Sequence, residues 1–154
     1  MGRRRGRRGA AVSGIAGRDW GALRSPVRGL LGLAYVAAGI LHFAKPQGLI
    51  AITPDWVPAK PLVIALTGMA EGLGGLALLQ PWSRELRRAG GIGLALYAVC
   101  VFPANINHLL IDMSRAHPHL GWAYHGPRMV LQPVLVWLAL WVSREPQHLQ
   151  ADER

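Results

Sequence analysis

The sequence predicts an all-α integral membrane protein, a four-helix bundle with both termini in the cytoplasm, and three observations carry that expectation. The 154 residues are 51% hydrophobic and 16% charged, which departs from the balance of an ordinary soluble domain. The charge sits at the two ends and in the connections, leaving four stretches almost empty of it: 29–44, 61–83, 89–111 and 129–143. The basic residues are also unevenly shared between the two sides of those stretches. The amino-terminal flank has eight Lys or Arg, the second connection three and the carboxyl tail two, against four at Lys45, Lys60, Arg115 and Arg128. Thirteen against four places both termini inside by the positive-inside rule. The length leaves room for one compact unit.

Crossing a hydrocarbon core of about 30 Å takes roughly 20 helical residues. The second and third stretches meet that length. The first and fourth reach it when Pro26 to Arg28 and Pro127 to Arg128 join the helices and the arginines snorkel.

Residues 1–24 are rich in Arg, Gly and Ala, with no sustained apolar period. They read as a disordered or membrane-surface arm that attracts anionic lipid headgroups. A net charge of +9 would also suit nucleic acid, but the arginines crowd one flank rather than a folded face, so nucleic acid is not the expected partner. A twin-arginine export signal at Arg3, Arg4 and Arg5 fails because the following apolar segment is short and broken by Arg18 and Asp19.

The transmembrane domain is expected over 25–146, with helices at about 26–44, 61–80, 86–110 and 127–143 and a polar tail over 147–154. Ser25 and Pro26 look like an N-cap followed by proline at the first helical position. Lys45 and Pro46 stop that helix. Residues 46–60 hold three prolines among Leu49, Ile50, Ile52, Trp56 and Val57. They are too broken for a span and too apolar for a solvated loop, so they should lie along the interface. Ser83 caps the third helix, residues 111–126 form a connection, and Pro127 opens the fourth.

Polar side chains within the apolar stretches are the candidate site. A charge at the bilayer centre costs about 2.5–3.5 kcal/mol on insertion scales, so such groups face protein or water. Glu71 lies about 15 Å along the second helix from its outer end by helical rise. Thr67, Gly68 and Gly75 share its face, and the small residues let a neighbouring backbone come close. His42 is near the outer end of the first helix, on a stripe with Tyr35, Ala38 and Gly39. Asn105 and His108 share a face of the third, after Pro103, while Asn107 points elsewhere. Arg128 and Gln132 share a face of the fourth, and Trp137 and Trp141 lie on a lipid-facing stripe. Alternating direction puts His42, Asn105, His108, Arg128 and Gln132 in the outer half, with Glu71 below them. Two readings apply: hydrogen bonds that fix helix packing, or a cavity opening outward in which Glu71 carries a proton or anchors a ligand.

Other chemistries find less support. Cys100 has no second cysteine to pair with and reads as a small buried hydrophobe. His42 and His108 offer imidazoles for haem, though an interfacial histidine needs no metal. His117, His119 and His125 lack the nearby Cys, Asp or Glu of a specific metal site, so no metal is expected.

Several of these residues fall in recognisable segments. Ala38-Gly39-Ile40-Leu41-His42-Phe43, Pro54-Asp55-Trp56-Val57-Pro58, Thr67-Gly68-Met69-Ala70-Glu71, Pro103-Ala104-Asn105-Ile106 and Leu131-Gln132-Pro133 resemble the DoxX-like family of small bacterial membrane proteins. The resemblance spans about residues 29–142 and implies a four-helix membrane bundle. It also implies, for part of that family, membrane subunits linked to sulfur-compound oxidation with quinone as acceptor. With one cysteine this chain offers no dithiol, so a redox role would rest on a partner protein or a bound quinone. The expected function is a noncatalytic subunit or small-ligand-binding component of a membrane complex. The alternatives are a quinone-linked oxidoreductase component and, third, a small transporter.

Overall fold

The computed structural model describes residues 13–144, with side chains from residue 22 onward. The described residues form five helices and no strand: α1 Ser13–Ala44, α2 Pro46–Ile52, α3 Lys60–Leu79, α4 Arg84–Met113 and α5 Gly121–Ser143. Three are long and apolar enough to cross a membrane, namely Ala22–Ala44 of α1, the whole of α3 and the whole of α4. Only 22%, 33% and 17% of their most apolar windows are buried within the protein. Leucines such as Leu30, Leu73 and Leu96 therefore point outward, as the face of a helix in lipid does. Of the surface arm expected at 1–24, residues 13–24 are instead the first turns of α1, while residues 1–12 and the expected tail at 147–154 lie outside the described residues.

The element boundaries correct the sequence reading at four places. Helix α1 begins at Ser13 and runs through Pro26, so Ser25 is no N-cap. Ala22, Leu23 and Arg24 are strong helix formers, and proline removes one backbone hydrogen bond without ending the helix. Within the expected interfacial segment, Pro46 opens the short helix α2. Helix α4 continues past Leu110 to Met113. Helix α5 begins at Gly121, which has a φ of +60°, and Pro127 lies inside it. The connection is correspondingly shorter, because Asp112 gathers its backbone as described below.

Helices α1 and α3, α3 and α4, and α4 and α5 pack as neighbours, and α5 touches α1. The tightest pair, α1 with α3, meets through glycine. A Cβ on Gly39 would stand 2.7 Å from the Gly68 carbonyl oxygen, and one on Gly75 would stand 2.6 Å from that of Gly32. Gly91 plays the same part between α4 and α5, against Ser143 and Ala139. Toward the end where α3 finishes and α4 begins, Leu31, Leu78, Leu94, Ala95, Ala139 and Val142 fill the core with Tyr35. Apolar packing seals that half, and the polar residues collect in the other.

Cys100 is exposed, not buried as a lone apolar thiol suggested. It borders the interhelical cavity described below, and hydrophobicity alone does not locate an apolar side chain in a membrane helix.

Candidate functional site

A cavity of about 370 Å³ lies between the helices next to the apolar core, with Tyr35 and Leu135 at their boundary. Of the six candidate residues, His42, Glu71, Asn105, Arg128 and Gln132 line it, brought from α1, α3, α4 and α5. His108 does not line it, but it holds one wall through Arg128. Most of the remaining lining is apolar, including Val63, Ile64, Val101 and Leu135.

One wall is a hydrogen-bonded chain between α4 and α5. Arg128 places Nη1 2.7 Å from Nδ1 of His108 and donates through Nη2 to Oδ1 of Asn105. Asn105 Nδ2 donates to Gln132 Oε1 at 2.9 Å, and Gln132 Nε2 donates to the Ala98 carbonyl. The 105/108 and 128/132 spacings bring each pair onto one helix face. Arg128 also lies 5.1 Å from the centroid of the Tyr124 ring, a cation–π contact.

The opposite wall is built by α1 and α3. Glycine contact at Gly39 and Gly68 draws these helices together and sets His42 against Glu71. His42 Nδ1 is 3.0 Å from Glu71 Oε2 and 2.9 Å from the Ala38 carbonyl oxygen. Glu71 is 6% exposed, and its Oε2 has no hydrogen-bond partner among the described residues. Tyr35, also 6% exposed, lines the same cavity, and among the described residues its hydroxyl has no partner either. Tyr97 sits on the α4 side within interacting reach of the Glu71 carboxyl.

The segment after α1 covers the cavity. Leu49, Ile52, Thr53, Pro54, Trp56 and Val57 all line it. Asn107 Nδ2 on α4 donates to the Ile52 carbonyl at 2.9 Å, tying this cover to the wall. Lys60 Nζ donates to the Thr53 carbonyl at 2.9 Å and to Asp55 Oδ1 at 2.8 Å. The lysine beside it holds the exposed Asp55 carboxyl below its usual range. What reads as an interfacial loop is thus a structured cover over the candidate site.

Residues 31–143 match a family model described as a domain of unknown function, DUF8561. The chain belongs to the DUF8561 family. No curated protein and no solved structure matches it. The DUF8561 segment contains the cover, both polar walls and all six candidate residues.

Sequence reasoning missed two further features inside the DUF8561 segment. Asp112 is 2% exposed and accepts three backbone N–H groups, from His119, Leu120 and Gly121, at 2.9–3.1 Å. A carboxylate facing successive N–H groups is an N-terminal helix cap supplied by a neighbouring helix. His125 is fully buried beside it, with Nε2 3.4 Å from Asp112 Oδ2, and its ring meets that of His108 edge-on at 4.9 Å. Both residues fell in the stretch read as a connection, where a helical face cannot be traced. Tyr97 was the other omission, and Tyr35 was placed only on the His42 stripe, not among the site residues. Tyrosine is ordinary in an apolar helix, and only the cavity reveals where the hydroxyls lie.

Proposed function

We propose that this DUF8561 protein spans the membrane four times, with both termini in the cytoplasm, and holds a small, largely apolar ligand in the cavity between its outer halves. It does so as a noncatalytic component of a membrane complex. The carrying observation is that polar side chains from four helices converge on one otherwise apolar cavity, the usual makeup of a small-molecule site. Helix α5 supplies the fourth span. Its 23 residues reach about 34 Å at helical rise, and its most polar turn, Tyr124 to Arg128, would sit at the outer end. The thirteen-to-four basic bias supports the orientation. The resemblance to the DoxX-like family supports the bundle, since His42, Trp56, Glu71, Asn105 and Gln132 all belong to the resembling segments and all line the cavity.

The test is purification of the full chain from its native membrane in mild detergent, with mass spectrometry of everything that stays bound. The expected result is a small apolar molecule and a membrane partner, with the molecule lost when Ala104→Trp fills the cavity. Protein recovered empty from the native membrane, or a bound molecule unaffected by Ala104→Trp, would count against the reading.

One observation favours a second reading. The His42–Glu71 pair bordering the cavity is a carboxyl and an imidazole placed to exchange protons with a bound ligand. That suits a quinone-linked oxidoreductase component, with electrons supplied by a redox partner protein.

A further inference from the structure

Polar side chains around the cavity fall into two groups. Thr53 Oγ1 donates to the Leu49 carbonyl and Thr67 Oγ1 to the Ile64 carbonyl. Asn105 and Gln132 are bonded to each other, and Arg128 to Asn105 and His108. Against these stand two buried atoms on the α1–α3 wall with no hydrogen-bond partner among the described residues, Tyr35 Oη and Glu71 Oε2, the latter 3.0 Å from His42 Nδ1 and with the Tyr97 hydroxyl also near its carboxyl. A buried polar atom left unmade is costly. Two of them on one cavity wall mark where a ligand atom would be satisfied.

Their chemistry defines that atom. Tyr35 Oη carries a hydrogen to give, and the carboxylate oxygen of Glu71 accepts one. His42 does not fill the need, because its Nδ1 also faces the Ala38 carbonyl at 2.9 Å and one ring nitrogen has one hydrogen to place. A single hydroxyl group answers both: it accepts from Tyr35 and donates to Glu71. Charge narrows the class further. The cavity holds one carboxyl, Glu71, and one guanidinium, Arg128. An anionic ligand meets the first and a cationic ligand the second, so a neutral molecule is the one that neither repels. The remaining, largely apolar lining takes its body.

We infer that the Tyr35–Glu71 wall is a hydroxyl-recognition subsite, and that the ligand of this cavity is a neutral, mainly apolar alcohol or phenol. This inference rests on the cavity being a ligand site at all. Its test separates the two.

The probes are 4-butylphenol and butylbenzene, which differ by one hydroxyl. Each is titrated against the purified full chain in detergent, with correction for partition into protein-free micelles. A site that hydrogen-bonds a hydroxyl discriminates against the analogue lacking it, and the phenol should bind about tenfold more tightly. Tyr35→Phe, which removes the hydroxyl alone, and Glu71→Leu should each bring that ratio most of the way to one while leaving butylbenzene affinity unchanged. If Glu71→Leu does not fold, Tyr35→Phe carries the test. Equal binding of the two probes, as when a water satisfies both atoms, would leave the cavity a ligand site but overturn hydroxyl recognition there. A ratio unchanged in the folded variants would overturn it too, placing the hydroxyl elsewhere. Binding of neither probe would remove the ligand-site reading together with this inference.

Discussion

His42 Nδ1 stands 3.0 Å from Glu71 Oε2, yet it is also 2.9 Å from the carbonyl of Ala38, one turn back on its own helix. One imidazole nitrogen thus faces two acceptors, and the carboxyl keeps an oxygen without a hydrogen bond. A carboxyl retained only for packing would be expected to have both oxygens satisfied. Glu71→Gln keeps the shape and cannot ionise, so it should melt within about 1 kcal/mol of the parent. Glu71→Ala, which opens space at a buried position, should lose about 2–4 kcal/mol. Proton handling shows separately: Glu71→Gln at matched expression should lose activity, or retention of a copurifying molecule. Wild-type behaviour in that variant would make Glu71 a packing residue.

The α1–α3 contact that sets this pair admits little more volume. A Cβ on Gly68 would lie 2.6 Å from His42 Cβ and 3.2 Å from the Gly39 carbonyl oxygen. Gly68→Ala should therefore cost about 1–3 kcal/mol, as overpacking does. Gly72→Ala is the control, because a Cβ there meets nothing within 4 Å. Thermal melting of both variants in one detergent checks the contrast. Equal losses would refute the contact.

These two glycines show how far the sequence could be read. Gly68 and Gly72 together look like a small-residue packing motif, but only the partner's position tells which one a side chain would obstruct. The same limit applies to the site. Its polar groups were legible because charge and amide groups are rare in apolar helices, so Glu71, His42, Asn105, Arg128 and Gln132 stand out one by one. Tyr35 and Tyr97 do not stand out, since an aromatic ring suits lipid, core and cavity alike. Asp112 and His125 were lost because a helix end was placed at the nearest polar residues. In fact Asp112 itself caps the next helix, across the turn.

Ala59 precedes α3 with a φ of +46°. A left-handed conformation costs a non-glycine residue roughly 1–2 kcal/mol. The side chain is exposed, so its loss removes no core contact. Ala59→Gly should raise stability by up to about 1 kcal/mol, part of the gain being offset by the greater freedom of glycine in the unfolded chain. A lowered melting temperature would mean that the turn between α2 and α3 is not strained.

Topology is checked with reporter fusions after residues 50, 85, 120 and 150, which should read outside, inside, outside and inside. Basic residues flank the second and fourth of these sites, as the orientation requires. An outside signal at 85 would invert it. Agreement at 50, 85 and 120 with an outside signal at 150 would reduce α5 to a helix that does not cross.

The wall from Arg128 to Gln132 gives the last prediction, which concerns how the α4–α5 half of the cavity is held. Asn105 occupies the centre of the chain, accepting from Arg128 and donating to Gln132. Removing Asn105 therefore breaks two bonds at once, whereas Gln132→Ala breaks the Asn105 bond and the one to the Ala98 carbonyl. Asn105→Ala and Gln132→Ala should each destabilise by about 1–3 kcal/mol, the cost of unmade buried hydrogen bonds. Because they share a bond, the double variant should lose less than the two single losses added. The shortfall should be about 0.6 kcal/mol, the typical size of such couplings between membrane helices. Arg128→Lys sharpens the test, since an ammonium lacks the planar fork that reaches His108 and Asn105 together. It should weaken the protein while keeping the charge, and it should lower the Asn105–Gln132 coupling by freeing the Asn105 side chain. Strict additivity in the double variant would mean that the two amides do not meet in the membrane and that the cavity wall is arranged otherwise.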